Sequence, residues 1–313
     1  MQTLLYPLLI LLFLVENLGD DTKSDVEKPS ASKSMIENQV VGLNLIFEEE
    51  WDCLPQPQFW KKIMQLSPDS CIINVAENRF ILERMHFDDW MAQTDNQKKN
   101  HKDSLRKLYN LGVSTQINVT TGKSDFYRFN DVYPTLERGR DAFASHGVDS
   151  WYAQAILLIE SPGQLKKSHV GAYGAFQLMP GVARAQGLIV NKYVDERKDF
   201  EKSAMGSARL ISKICIPEAK KILDAHRLKY NEKDLWFRLF VLHVYHAGAY
   251  NVKAVVNKIK PKYGGQALIT KMWQTSAASF GNSSQNYTQL ALASHLVLNE
   301  YVAMKLSDSA SLK

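Results

Sequence analysis

At 313 residues, 45% of them hydrophobic and 23% charged, the chain can bury a full core and is too apolar to be disordered. The net charge of +5 is mild, and no basic run is interleaved with aromatics, so nucleic acid is a poor partner while an anionic surface or polymer suits it. Cys53, Cys71 and Cys215 lack metal-ligand spacing; a disulfide between the first two and buried free thiols are both open.

In chain order, residues 4–15 form an apolar run shorter than a membrane span. It reads as the core of a secretory signal over 1–19, with no Lys or Arg before it; an uncleaved N-terminal anchor is the alternative. Residues 20–34 are polar and rich in Ser, Asp and Lys, a linker. Across 35–129 the pattern is mixed α/β: helices are predicted over 59–66 and over 104–111, stopped by Gly112, and a short strand over 113–120. No chemistry is legible there, and the region suits contact with a membrane or cell-wall protein, or packing on the helical region C-terminal to it.

From 130 to 306 helical signals dominate, leaving a short tail at 307–313. Helices are predicted over 134–144, 151–160, 235–247, 250–259, 268–275 and 286–306, with Asp149 or Ser150 capping the second. Pro180 suits the first turn of another helix that Gly187 ends. Asp199 caps a segment whose Ala204, Ala208, Ile211 and Cys215 share one face. The fold class is therefore mainly α, with a mixed α/β N-terminal extension. His243 and His246 lie three apart on a helix without a nearby Asp, Glu or Cys, which favours packed or groove-lining rings over metal ligands.

The chemistry concentrates at Glu160. The helix WYAQAILLIE is apolar almost all round, so it is expected to be buried, and its last residue is a carboxyl at the negative end of the helix dipole. Both circumstances raise the pKa, as a general acid near neutral pH requires. A glutamate at a frayed helix end facing water is the plain alternative. Soon after comes GAYGAFQLMP, residues 171–180. Gly171 and Gly174 let backbone approach a ligand closely, and the Gln177 amide can both donate to and accept from hydroxyls. Tyr173 and Phe176 either stack on a ligand or pack, and Tyr245 and Tyr287 are equally suited to a core.

Taken in order, Ile159-Glu160-Ser161, GAYGAFQLMP, Val244-Tyr245-His246-Ala247-Gly248 and SSQNY ending at Tyr287 resemble the successive motifs of the lytic transglycosylases. The resemblance spans about residues 132–304 and implies a lysozyme-like helical catalytic domain that cleaves bacterial peptidoglycan. It implies Glu160 as the catalytic acid, and Ser161, Gly174, Phe176, Gln177, Tyr245, His246 and Tyr287 as the sugar-binding set. His246 departs from the family, which usually has Asn there. The implied partner is the glycan strand, the implied location the periplasm or cell envelope, and no metal or organic cofactor is implied.

Acid–base logic separates two outcomes. Hydrolysing glycosidases need a second carboxylate to activate water or attack the sugar. No Asp or Glu occurs between Ser161 and Tyr173, and Asp195, Glu196 and Asp199 suit capping. A transglycosylase needs no second acid. Its single carboxyl protonates the leaving oxygen, then accepts a proton as the sugar's own C6 hydroxyl closes a 1,6-anhydro ring, an intramolecular step with a large entropic advantage. A goose-type lysozyme-like hydrolase and a wall-binding protein without catalysis are the rival expectations.

Overall fold

The computed structural model describes residues 40–122, 129–160, 167–168 and 170–311. The expected signal or anchor, the expected linker at 20–34 and Ser161 lie outside the described residues. The chain is mainly helical with one three-stranded antiparallel sheet.

Leu43–Glu48 (α1) and a tight turn at Trp51–Cys53 bury Leu43, Ile46 and Trp51. All three belong to the same core as the C-terminal helices. Packing therefore ignores the boundary expected at residue 129: residues 40–51 lie in the helical core, the chain then leaves it for the sheet, and returns. Pro55–Met64 (α2) opens with Pro55, whose missing N–H costs nothing in a first turn. It sets Phe59 and Ile63 against Ile72 of the sheet.

Ser70–Val75 (β1) lies between Ile81–His86 (β2) and Ile117–Thr121 (β3), giving the order β2-β1-β3. Every β1 residue is buried, as befits a central strand covered on both faces. A register shift between Ile73 and Asn74 interrupts its pairing with β2. Phe87–Met91 (α3) and Asp95–Leu108 (α4) cover one face, bringing Trp90 and Leu105 onto Cys71, Ile73 and Val75. Two expectations shift here. The strand starts at Ile117 and not at 113, where Val113 is 94% exposed. The helix predicted from 104 begins at Asp95, set by a Thr94–Gln97 capping box.

Phe129–Ser145 (α5) and Ser150–Glu160 (α6) pack closely; a Cβ on Gly139 would stand 2.5 Å from a Leu157 methyl. In α6 Asp149 accepts from the Trp151 N–H at 2.9 Å and acts as the cap, while Ser150 turns to the Arg140 carbonyl at 3.0 Å. All nine residues from Trp151 to Ile159 are buried, as the all-round apolar pattern requires. Pro180–Ala185 (α7) begins at Pro180 as expected. Phe200–Leu210 (α8) is capped by Asp199, which accepts from the Lys202 N–H at 2.8 Å. A π-helical turn at Ile211–Cys215 leads into Ile216–Ala225 (α9), and Ala204, Ala208, Ile211 and Cys215 are all buried.

Leu235–Ala247 (α10), Ala249–Ile259 (α11) and Gln266–Gln274 (α12) follow, then Asn282–Ser311 (α13). The last helix runs straight through residues expected to form a tail. The three cysteines are free thiols, Cys53 exposed and the other two buried. Among the described residues no helix is long and apolar enough to cross a membrane.

Candidate active site

Glu160 closes α6 at the wall of a cleft of about 250 Å³. The residue is half-buried, and loss of water around its carboxyl pushes the pKa up to about 7. Tyr287, delivered by α13 and only 4% exposed, is the group that opposes this shift. Its hydroxyl interacts with the Glu160 carboxyl without closing a hydrogen bond of ordinary geometry. Burial and the neighbouring Glu160 hold the phenol well above its usual range, so Tyr287 remains a donor.

The opposite wall is a tight hairpin. Tyr173 and Leu178 exchange both backbone hydrogen bonds at 3.1 Å and close a turn of which Gln177 lines the cleft while Gly174, Ala175 and Phe176 are buried. Gln177 sits at φ 47°, a left-handed conformation that L side chains adopt at a cost. Its amide donates to the Gly174 carbonyl at 3.1 Å and lines the cleft. Beneath it lies Arg197, 2% exposed, paired with both Asp195 oxygens at 2.8 and 2.7 Å. The same guanidinium donates to the Gly171 and Leu178 carbonyls at 2.8 and 2.9 Å, tying the two ends of the hairpin together.

Two sequence expectations are corrected here. A Cβ at Gly174 would stand 1.9 Å from the Arg197 carbonyl oxygen, so this glycine serves a close approach of protein to protein and not of backbone to ligand. Phe176 is fully buried and stacks on Phe143 at 5.5 Å, which removes it as a sugar platform. Its aromatic bulk fixes the hairpin to the core instead.

α10 supplies the third wall. The Tyr245 hydroxyl donates to the Phe176 carbonyl at 2.7 Å and meets the Ser207 hydroxyl at 3.1 Å. Burial, Ser207 and Glu160 act on it, with burial dominant and its pKa raised. His246 stacks on Tyr287 with 4.2 Å between ring centroids. Its outer surface is open to the cleft mouth, but the protein crowding its ring drives the pKa down to about 4, so it is neutral at neutral pH. His243 is fully buried, accepting or donating at the Thr288 hydroxyl at 2.9 Å, and packs against Phe280. One histidine is packed and the other lines the groove.

Glu160, Gln177, Tyr245 and His246 thus converge on one cleft, with Tyr287 behind Glu160 and His246. The remaining lining is largely apolar, from Leu178, Met179, Val182 and Leu210. Among the described residues Glu160 is the sole carboxylate lining it. Asp195 is bound by Arg197, Asp199 caps α8, and Glu196 accepts from the Ile189 N–H at 2.7 Å. No cluster of His, Cys, Asp or Glu among the described residues could hold a metal ion.

Sequence reasoning missed Arg197, whose signal was the acidic–basic DERK run, read for its acids as helix capping and, within DERKDFEKSA, as a further stretch of the family resemblance. It also missed Ser168, which lines the cleft and accepts from the Ala172 N–H at 2.9 Å; nothing in its flanks distinguishes it. Comparison with protein-family models, curated proteins and solved structures finds no match to this chain.

Proposed function

We propose that the chain is a peptidoglycan lytic transglycosylase with a lysozyme-like catalytic domain, exported to the cell envelope, where it cleaves the β-1,4 bond between N-acetylmuramic acid and N-acetylglucosamine. One observation carries the reading: a carboxyl, protonated up to about pH 7 and solitary among the described residues of the cleft, stands beside Ser168, Gln177, Tyr245 and His246, all neutral. A glycosidic oxygen bound beside Glu160 takes its proton as the bond breaks. The resulting carboxylate, steadied by the Tyr287 hydroxyl, then takes the proton of the C6 hydroxyl as that oxygen closes the ring. The proton given up first departs on the leaving-group oxygen, the proton from the C6 hydroxyl restores the Glu160 acid, and no water is consumed. Gln177 and the neutral His246 offer hydrogen bonds to sugar hydroxyls and acetamides, while Leu178, Met179 and Val182 form an apolar wall.

The test is release of soluble fragments from purified sacculi by the wild type and by Glu160→Gln. The wild type is expected to release anhydro-ended fragments and the variant to lose activity by about three orders of magnitude or more, the scale of a missing general acid. Equal release by both proteins would remove Glu160 from the chemistry. Binding of sacculi by both with release by neither would leave a wall-binding protein.

A further inference from the structure

A second, larger recess lies away from Glu160, where the edge of the sheet meets α12 and α13. It comprises two adjoining cavities of about 440 and 670 Å³ that share Ala76, Glu77, Gln116, Trp273, Ser276 and Gln285. Both exceed the catalytic cleft and fall in the size range of ligand sites. One wall is β3, whose outer edge is unpaired among the described residues. The other is the first turns of α13, which also carries Tyr287.

The lining is mainly polar, and several of its amide side chains are hydrogen-bonded within the protein. Gln116 donates to Asn118 at 3.3 Å, Gln285 to Ser276 at 3.2 Å, and Asn286 to Asn282 at 3.0 Å. Trp60 donates to Gln289 at 3.0 Å. Amides held this way present donors and acceptors side by side, the pattern that matches hydroxyls and acetamides, and little side-chain freedom is left to lose on binding.

The larger cavity carries Glu77, Lys102 and Arg79, a net positive charge, and Arg79 is the most deeply buried of the three. It is 7% exposed, sits at φ 63° and is stacked over Phe59 and Trp60, each 5.4 Å from the guanidinium carbon. One of its hydrogen bonds goes to Asn286 at 2.6 Å. No carboxylate pairs with it among the described residues. A cation this deep without a counter-charge is costly to maintain, and a ligand carboxylate reaching the recess would relieve that cost.

We propose that this recess is a second glycan site, in which the amides of β3 and α13 hold sugar hydroxyls and acetamides while Arg79 pairs with a carboxylate carried on the sugar. The choice of an amino-sugar strand rests on the catalytic reading, since the lactyl groups of N-acetylmuramic acid supply such carboxylates wherever the strand is free of stem peptide. Because Asn286 and Tyr287 are neighbours on one helix, a strand held here is anchored to the element that supports Glu160. Anchoring raises the effective concentration of the same polymer at the cleft.

The experiment is calorimetric titration of full-length Glu160→Gln, which spares the ligand, with two probes: peptide-free glycan strands bearing lactyl carboxylates, and uncharged chitohexaose. Strands are expected to bind about tenfold more tightly than chitohexaose. Gln116→Ala with Asn118→Ala, one just before β3 and one within it and neither buried, is expected to weaken strand binding about tenfold, two lost hydrogen bonds' worth. Arg79→Lys is expected to narrow the gap between the probes. The β3 pair keeps the test valid if the buried Arg79 variant fails to fold. Strand affinity unchanged by the β3 pair, or equal affinity for both probes, overturns the proposal. The catalytic reading fails separately, by absence of anhydro product from the wild type.

Discussion

Replacing Glu160 by Gln is expected to stabilise the protein by an amount that is zero in acid and grows as pH rises from about 4.5 through about 7. The folded carboxyl titrates near 7 against an ordinary 4.5, so between these values the folded state holds a proton that the unfolded chain has released. A raised carboxyl pKa therefore costs nothing below about pH 4.5, and its full cost appears once pH has risen through about 7. At about 1.4 kcal/mol per pH unit the cost is about 3 kcal/mol. Partial exposure to the cleft trims it to about 2 kcal/mol through solvent screening. Glutamine is isosteric and never ionises, so the variant avoids that cost. Denaturant titration of both proteins between about pH 4 and pH 8.5 is the assay, with the wild type falling behind by about 2 kcal/mol at the alkaline end and matching the variant at the acid end. A stability difference that does not change with pH, or one that grows as pH falls, would refute burial as the cause of the shift.

Tyr287→Phe removes the group that favours the ionised carboxyl, so the alkaline limb of the activity profile is expected to move to higher pH; a move downward contradicts the assignment. His246→Asn is expected to leave that limb in place, because the ring is neutral above about pH 4, and a displaced limb in the pH profile would show that it titrates with the acid. Gly174→Ala forces a Cβ into the Arg197 carbonyl and is expected to cost about 3 kcal/mol by thermal unfolding, with loss of activity. Arg197→Ala strands Asp195 and frees both hairpin ends, a cost of about 3 kcal/mol, with hydrogen exchange rising first at residues 171–178.

The legible parts of the fold were those with a local cause. The cap at Asp199, the proline at 180 and the apolar circumference of α6 each act within a turn or two of their own position, so their helices fell within a few residues of expectation. The β1–β2 hairpin escaped because SCIINV is buried at every position and shows no alternation, while 95–103 is too polar to betray a helix by periodicity. At the site, Glu160, Gln177, Tyr245 and His246 were identifiable and do converge on one cleft. Phe176 and Gly174 were misjudged for a common reason: whether an aromatic ring or a glycine meets ligand or protein depends on partners distant in sequence, here Phe143 and Arg197. The recess at β3 draws on α2, the sheet, α12 and α13, and no contiguous pattern announces it.

The claim that one acid suffices is tested most directly by digesting sacculi in heavy-oxygen water and weighing the products. Anhydro-ended fragments free of the label are expected, because the attacking oxygen comes from the sugar itself. Fragments carrying one labelled oxygen at the new reducing end would mean that water attacks, and that a base outside the described cleft completes the site.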